Sequence, residues 1–471
     1  MRDTEPYEAF ISLLGGLTFE SLRASRASRA PAKELRIAYV LWSYPTLSET
    51  FVRREIEALR KAGLHIEVFA REGPTSPLFP DTYAAAGPVT YFGPPDEASS
   101  RAATRVFLRR DPALVTRLWL YIVRHRYRSG KTWWHDRDVL YQSAALARVL
   151  EEHGITHIHA PWASQPALLA FVASRMLGVG YSVQARASEI HRNEQAPLVA
   201  DRLRFADFIV TNSRYNEQYL RQRIGGRGTP PIKVVYNGLD LDRIPRVERV
   251  TSGASALRLL SVGRLVEAKG FRYLLMACRA LHDRGLDFTC QIIGGPQDPD
   301  DTVTWVELRK LHSSLRLESI VCFTGPASFS DILSAYRHAD LFVLPCIRAR
   351  DGSHDVTPNT LIEAMAMSLP VISTTSGAIP EIVDHEMNGL LVPPADERAL
   401  ADTIERLIRD SSLRQRLGEA ARRKVEDRFD IARNTPARAA LFQASASQPH
   451  ETQRMVSDAG GGLATGAGAT S

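Results

Sequence analysis

Asp355 and Glu363 are the first residues in this chain that suggest chemistry. They are separated by seven residues in the stretch 351–370, DGSHDVTPNTLIEAMAMSLP. Pro358 predicts a helix start, Glu363 falls on its first or second turn, and an apolar strand over 371–373 follows. A loop entering a helix in this way aims backbone N–H groups and a positive dipole end at its ligand, which suits a phosphate or a sugar hydroxyl. Neither acid has a metal-binding partner beside it. Such carboxylates suit a vicinal diol, from which one carboxylate accepts two hydrogen bonds. Upstream, GRLVEAKG at 263–270 follows an apolar strand and precedes another helix. Arg264 and Lys269 both stand in that loop, two cations where a diphosphate can settle. A glycine turn, IIGG at 292–295, ends a further strand.

These strings resemble those of the retaining glycosyltransferases of GT-B fold, in particular the colanic-acid and exopolysaccharide branch. The acidic-x7-Glu pattern matches Asp355 and Glu363, and the G-R-x4-K pattern matches 263–269. The resemblance implies that Glu363 holds the ribose of a nucleotide-sugar, that Asp355 faces the donor sugar, and that Arg264 and Lys269 hold the diphosphate. It places Gly263, Gly294, Gly295, Pro358, Asn359, Thr360 and Leu361 on the donor as well. YNGLD at 236–240 is similar to the string at the join between the two halves. YPTLSETF at 44–51, with Glu55 beyond it, is similar to the loop bordering the cleft, which implicates Ser48, Glu49 and Thr50. Ser48 or Thr50 as a helix N-cap is the alternative reading. One departure stands out. Where members carry a His-Asp pair, YSVQARASEIHR at 181–192 has Ser188 and Glu189. Either Arg186 or His191 then replaces the histidine, or the acceptor chemistry differs. The resemblance further implies front-face transfer, in which the leaving diphosphate helps to deprotonate the acceptor and the protein positions the reactants and stabilises leaving-group charge. No metal and no cofactor are expected, and the D-x-D strings at 240–242 and 298–300 read as turns.

Such residues need a scaffold that brings distant loops together. From Arg36 the chain alternates apolar strands with helical stretches, the signature of parallel sheets. The expected fold is α/β: two Rossmann-like, doubly wound domains facing a cleft. The expected segments are a flexible leader at 1–33, an acceptor-side domain at 34–230, a nucleotide-sugar domain at 231–416, a C-terminal helix crossing back at 417–447 (with 417–429 as the candidate), and a disordered tail at 448–471. His157 and His159 alternate on one strand without a third ligand, so no metal is expected there.

Composition narrows the class. With 44% hydrophobic and 24% charged residues the chain is a globular protein, and it has no apolar run long enough to span a membrane. Four cysteines without a C-x-x-C pair read as buried thiols in a reducing compartment. Cytoplasmic residence is expected. The net charge of +6 is local: 101–131 holds nine Arg or Lys against one acid, Asp111. There Arg110, Arg117, Arg124 and Arg128 recur at helical spacing beside Leu114, Leu118, Tyr121 and Ile122, with Trp119 near the edge. That pattern suits a peripheral anionic membrane surface or a helix packed on the first half. Nucleic acid is not an expected partner. A glycan or lipid-linked glycan is the expected acceptor. Two other classes fit βαβ repeats: a dinucleotide-dependent oxidoreductase, which lacks a G-x-G-x-x-G string after either opening strand, and a degenerate, non-catalytic GT-B protein, which Ser188 favours.

Overall fold

The computed structural model describes residues 34–46, 50–74, 87–93, 97–128, 136–191, 200, 202–226, 228–244, 246, 256–296 and 299–447. The expected leader and tail lie outside them, as do Ser48 and Glu49.

Near-continuous apolar strands need cover on both faces, and helices supply it. The first domain runs β1 (Arg36–Ser43), α1 (Thr50–Lys61), β2 (His65–Glu72), β3 (Val89–Tyr91), α2 (Glu97–Arg110), α3 (Pro112–Arg128), α4 (Asp136–Glu152), β4 (His157–Ala160), α5 (Gln165–Leu177), β5 (Gly180–Gln184), α6 (Ser188–His191), β6 (Phe208–Thr211), α7 (Arg214–Ile224) and β7 (Ile232–Val234). Its seven strands are ordered β3-β2-β1-β4-β5-β6-β7 and pair in parallel. The second domain continues with β8 (Leu257–Val262), α8 (Phe271–Asp283), β9 (Phe288–Ile293), α9 (Pro299–Ser314), β10 (Val321–Phe323), α10 (Phe329–His338), β11 (Leu341–Leu344), α11 (Asn359–Ala366), β12 (Val371–Thr374), α12 (Ile379–Ile382), β13 (Leu390–Val392), α13 (Glu397–Arg409) and α14 (Ser411–Arg428). Its six strands are ordered β10-β9-β8-β11-β12-β13, again parallel. A last helix, α15 (Ile431–Ser447), follows. The two doubly wound domains expected from the sequence are present.

Several expectations change in detail. β7 belongs to the first sheet, so the domains divide after Val234 rather than at 230. The helix that returns to the first domain is α15, not 417–429: Leu417, Ala421 and Val425 of α14 lie in the second core, whereas Phe442 is fully buried against β1, β4 and β6. The basic stretch forms two helices. Leu114, Leu118, Tyr121 and Ile122 are all buried in the first domain's core, so the apolar face proposed for a membrane is already covered by protein. Arg110 pairs with Glu151 of α4 at 2.6 Å. Of the four cysteines, Cys278, Cys290 and Cys346 are buried thiols, but Cys322 is exposed. Among the described residues no helix is long and apolar enough to cross a membrane.

Candidate functional site

In the second sheet β8 and β11 are neighbours from which the chain departs to opposite sides. Doubly wound sheets bind ligands outside the strand C-termini at such a switch point. The loop leaving β8 carries Gly263, Arg264 and Lys269; the loop leaving β11 carries Asp355 and leads to Glu363 on α11. The strand order therefore brings together the four residues singled out in the sequence.

Backbone contact fixes these loops. Gly270 has φ +70°, and a Cβ there would stand 1.9 Å from the Pro345 carbonyl oxygen, while the Ile347 N–H donates to Ala268 O at 2.9 Å. Gly294, at φ +145°, would place a Cβ 1.8 Å from Gly263 O. Only glycine permits either approach. At Gly263 itself the space is filled by the Lys269 methylenes, 3.1 Å from where a Cβ would be. Gly295 abuts Pro326.

Lys269 Nζ is ion-paired with Asp355 Oδ2, and both side chains are largely covered. Burial pulls the ammonium pKa down, but Asp355 outweighs it, so the group stays above its ordinary value and charged. Arg264 Nη2 pairs with buried Asp301 of α9 at 3.1 Å. Glu363 is buried on α11. Its Oε1 accepts from Arg54 Nη2 of α1 at 3.0 Å, and its Oε2 lies 3.4 Å from the Tyr336 hydroxyl, which also donates to Thr360 O at 3.0 Å. Burial, then the Glu363 charge, pushes the Tyr336 phenol up, so it remains a donor. Pro358 is the N-cap of α11, Asn359 Oδ1 accepts from Asn237 Nδ2 at 3.0 Å, and the Leu361 side chain is fully buried in the core.

The first domain meets this site from its own strand ends. Thr50 opens α1. Arg186 is 2% exposed; it stacks over Phe51 at 4.1 Å and stands 3.6 Å from Glu55. Glu55 also accepts from Tyr39 at 2.8 Å and from Arg438 of α15. Arg186 is thus enclosed in a core cluster, where burial lowers its pKa to about 10. Ser188 begins α6. The Glu189 carboxylate turns back to accept from the Arg186 and Ala187 N–H groups at 2.8 and 3.1 Å, and His191 closes α6. The His191 ring donates through Nε2 to Asn216 Oδ1 at 2.7 Å and lies 4.4 Å from the His354 ring of the second domain. Of the two alternatives for the replaced histidine, His191 reaches the domain interface, against His354.

Other cross-domain partners escaped sequence reasoning. Asn212 Nδ2 donates to Thr357 Oγ1 at 2.5 Å. The Glu381 carboxylate accepts from the Arg214 and Tyr215 N–H groups at the start of α7 and from the Tyr236 hydroxyl at 2.9 Å. Arg54 left no local signal: it follows Phe51 by one turn but lies on the flank of α1 that it shares with Glu57, Ala58 and Lys61, away from Ile56 and Leu59. His157 and His159 share the Ser182 hydroxyl at 2.7 and 2.8 Å inside the core. Asp240 pairs with Arg243 at 3.2 Å, and Asp298 lies outside the described residues. Among the described residues no three His, Cys, Asp or Glu converge as metal ligands.

Comparison with known proteins agrees with this layout. A family model described as glycosyl transferases group 1 matches residues 256–410, and one described as glycosyltransferase family 4 matches 48–243. WcaL of Escherichia coli, a protein assigned by name to colanic acid biosynthesis as a glycosyltransferase, is 27% identical over 425 residues, covering 84% of this chain and 96% of that one. The amylovoran biosynthesis glycosyltransferase AmsK of Erwinia amylovora is 37% identical over 175 residues, 37% of this chain and 41% of that one. Among solved structures, Anabaena HepE in complex with UDP and glucose superposes with a TM-score of 0.67 at 19% identity, covering 87% of this chain and all of that one. One glycosyltransferase model thus matches each half of the chain, and the two halves are assembled on the two-domain GT-B fold.

Proposed function

We propose that this protein is a retaining, nucleotide-sugar-dependent hexosyltransferase that extends a polysaccharide or lipid-linked glycan in exopolysaccharide biosynthesis. One observation carries the reading: Arg264 and Lys269 after β8 stand at the same switch point as Asp355 and Glu363 after β11. Two cations match a diphosphate, and carboxylates match sugar hydroxyls. Relatives named for colanic acid and amylovoran synthesis support the acceptor class, and UDP and UDP-glucose in HepE support the donor class.

In this reading Glu363 accepts hydrogen bonds from the ribose and Asp355 faces the donor sugar while holding Lys269. As the sugar–phosphate bond breaks, negative charge grows on the diphosphate, and fixed cations stabilise that charge more than they stabilise the bound donor. The leaving diphosphate takes the acceptor proton on the same face. His191 takes the part of the family's histidine. No metal is required, because Arg264 and Lys269 neutralise the phosphates. The reaction is assigned to the cytoplasm.

A nucleotide-sugar panel assayed for transfer and donor hydrolysis, with the product anomer read by NMR, tests this. Turnover of one donor with retained configuration, unaffected by EDTA, is expected. Turnover of none, an inverted product, or EDTA loss rescued by magnesium would overturn the corresponding part.

A further inference from the structure

Arg54 belongs to the first domain, yet its guanidinium ends inside the donor half-site. Nη2 donates to Glu363 Oε1 at 3.0 Å, and the guanidinium lies 5.1 Å from the Phe329 ring centroid at the start of α10. Both partners are almost fully buried: the side chains of Arg54 and Glu363 are 9% and 7% exposed. Arg54 Nη1 is buried with no hydrogen-bond partner. A cation this deep, satisfied on one side only, is held chiefly by one carboxylate.

That carboxylate is also the one assigned to the ribose. Its Oε2 already faces Tyr336 at 3.4 Å, so a diol seeking Glu363 meets Arg54 on Oε1. Arg54 also lines a cavity of about 360 Å³ in which Glu57 and Asp240 already pair with Arg53 and Arg243, and which Asp242 and Asp430 line as well. A guanidinium leaving Glu363 therefore has room. Rotation of Arg54 into that space would make its contact with Glu363 switchable rather than a fixed strut.

We propose that Arg54 is a donor-site residue supplied by the first domain, which competes with the nucleotide ribose for Glu363 and sets the affinity of the site. The proposal rests on the assignment of Glu363 to the ribose. It separates Arg54 from a cation that binds the phosphates, because the two roles shift affinity in opposite directions. A competitor's removal tightens nucleotide binding; a ligand's removal weakens it.

The test is calorimetric titration of the full chain with UDP, GDP and ADP. Arg54→Met keeps apolar bulk against Phe329 without the charge, and Arg54→Ala removes both. Each should bind the preferred nucleotide about tenfold more tightly than the wild type, on the scale of one charged hydrogen bond partly regained elsewhere. In a Glu363→Gln background the same substitutions should gain far less, because the contested carboxylate is gone. Weaker or unchanged binding in Arg54→Met, with Glu363→Gln still weakening the wild type, overturns the competition and leaves the donor site standing. If neither the wild type nor the Arg54 variants bind any of the three nucleotides, the donor-site assignment itself fails and takes the competition with it. Binding by the variants alone would be the strongest form of the expected result.

Discussion

Replacing Lys269 by Ala removes the ammonium that pairs with Asp355 at the end of β8. Two losses follow, and they act on different observables. The first is structural. The pair is mostly covered, with side chains 12% and 24% exposed, so it lies between a surface ion pair and a buried one. A charged hydrogen bond of that kind contributes about 1.5 to 3 kcal/mol. At roughly 2–4 °C per kcal/mol, the melting temperature should fall by several degrees. The second is catalytic. Asp355, left without its cation, would stand as an unpaired negative charge beside a donor whose leaving group is itself gaining negative charge. One preorganised donor contributes roughly 10²–10³ in kcat. Lys269→Ala should therefore lower kcat at least about a hundredfold, with a smaller change in KM. Adding Asp355→Asn removes the stranded carboxylate, so the double variant should recover part of the melting temperature and less than the sum of the two kinetic losses should remain. Steady-state kinetics on one donor and thermal melts of the two single variants and the double variant decide it. If Lys269→Ala keeps kcat and raises only KM, the cation binds donor and transition state equally, and the leaving-group role is wrong.

Glu363→Gln should weaken nucleotide binding by roughly 1.5 to 3 kcal/mol, on the order of ten- to a hundredfold in Kd, with the fold retained; unchanged affinity by calorimetry would remove Glu363 from the site. Gly270→Ala combines a φ of +70° with a Cβ 1.9 Å from Pro345 O, whereas Gly285, at φ +72°, has nothing within 4 Å of that position. Thermal melts and kcat should show Gly270→Ala losing both stability and turnover, and Gly285→Ala losing only the roughly 1 to 2 kcal/mol of left-handed strain; equal losses would mean that the loop contact does not place Lys269. Burial draws the His191 imidazole down from 6.5 to about 4, with Arg348, Arg223 and His354 adding to it against the Asn216 hydrogen bond, and His354 is lowered too. Because the unfolded chain takes up these protons first, stability is fully present above about pH 6.5 and is lost as pH falls toward 4, by roughly 3 kcal/mol for His191. Melts of the wild type and His191→Gln across that range should diverge, and parallel curves would refute the linkage.

The sheets were legible because near-continuous apolar runs separated by helical periods have few other solutions. The grouping of 264, 269, 355 and 363 was legible for a related reason: they follow β8 and β11, which the strand order makes neighbours. What the sequence hid is everything that depends on domain docking. Arg54 and Glu363 lie 309 residues apart, and no local pattern links them. The same blindness explains α3. Periodicity says that one face of a helix is apolar, not whether lipid or protein covers it, and here protein does. Within the expected returning segment 417–447 the candidate 417–429 falls one element too early, because α14 has the cleaner run of helix formers while α15 contains Pro436.

The placement of α15 bears on how the chain comes to be folded at all. Phe442 fills the space between Tyr39, His157, His159 and Phe208, and Arg438 reaches Gln184 at 3.0 Å as well as the Glu55 carboxylate. The core of the first domain is thus completed by α15, a helix that follows the whole second domain in sequence. During translation the acceptor-side sheet waits with an apolar face and a buried acid exposed, while the second domain assembles from contiguous sequence. Contacts spanning nearly the whole chain close late and slowly. A frameshift or proteolytic cut just after Arg428 would spare the second domain, whose core holds α14, and unmake the first, which it never touches in sequence.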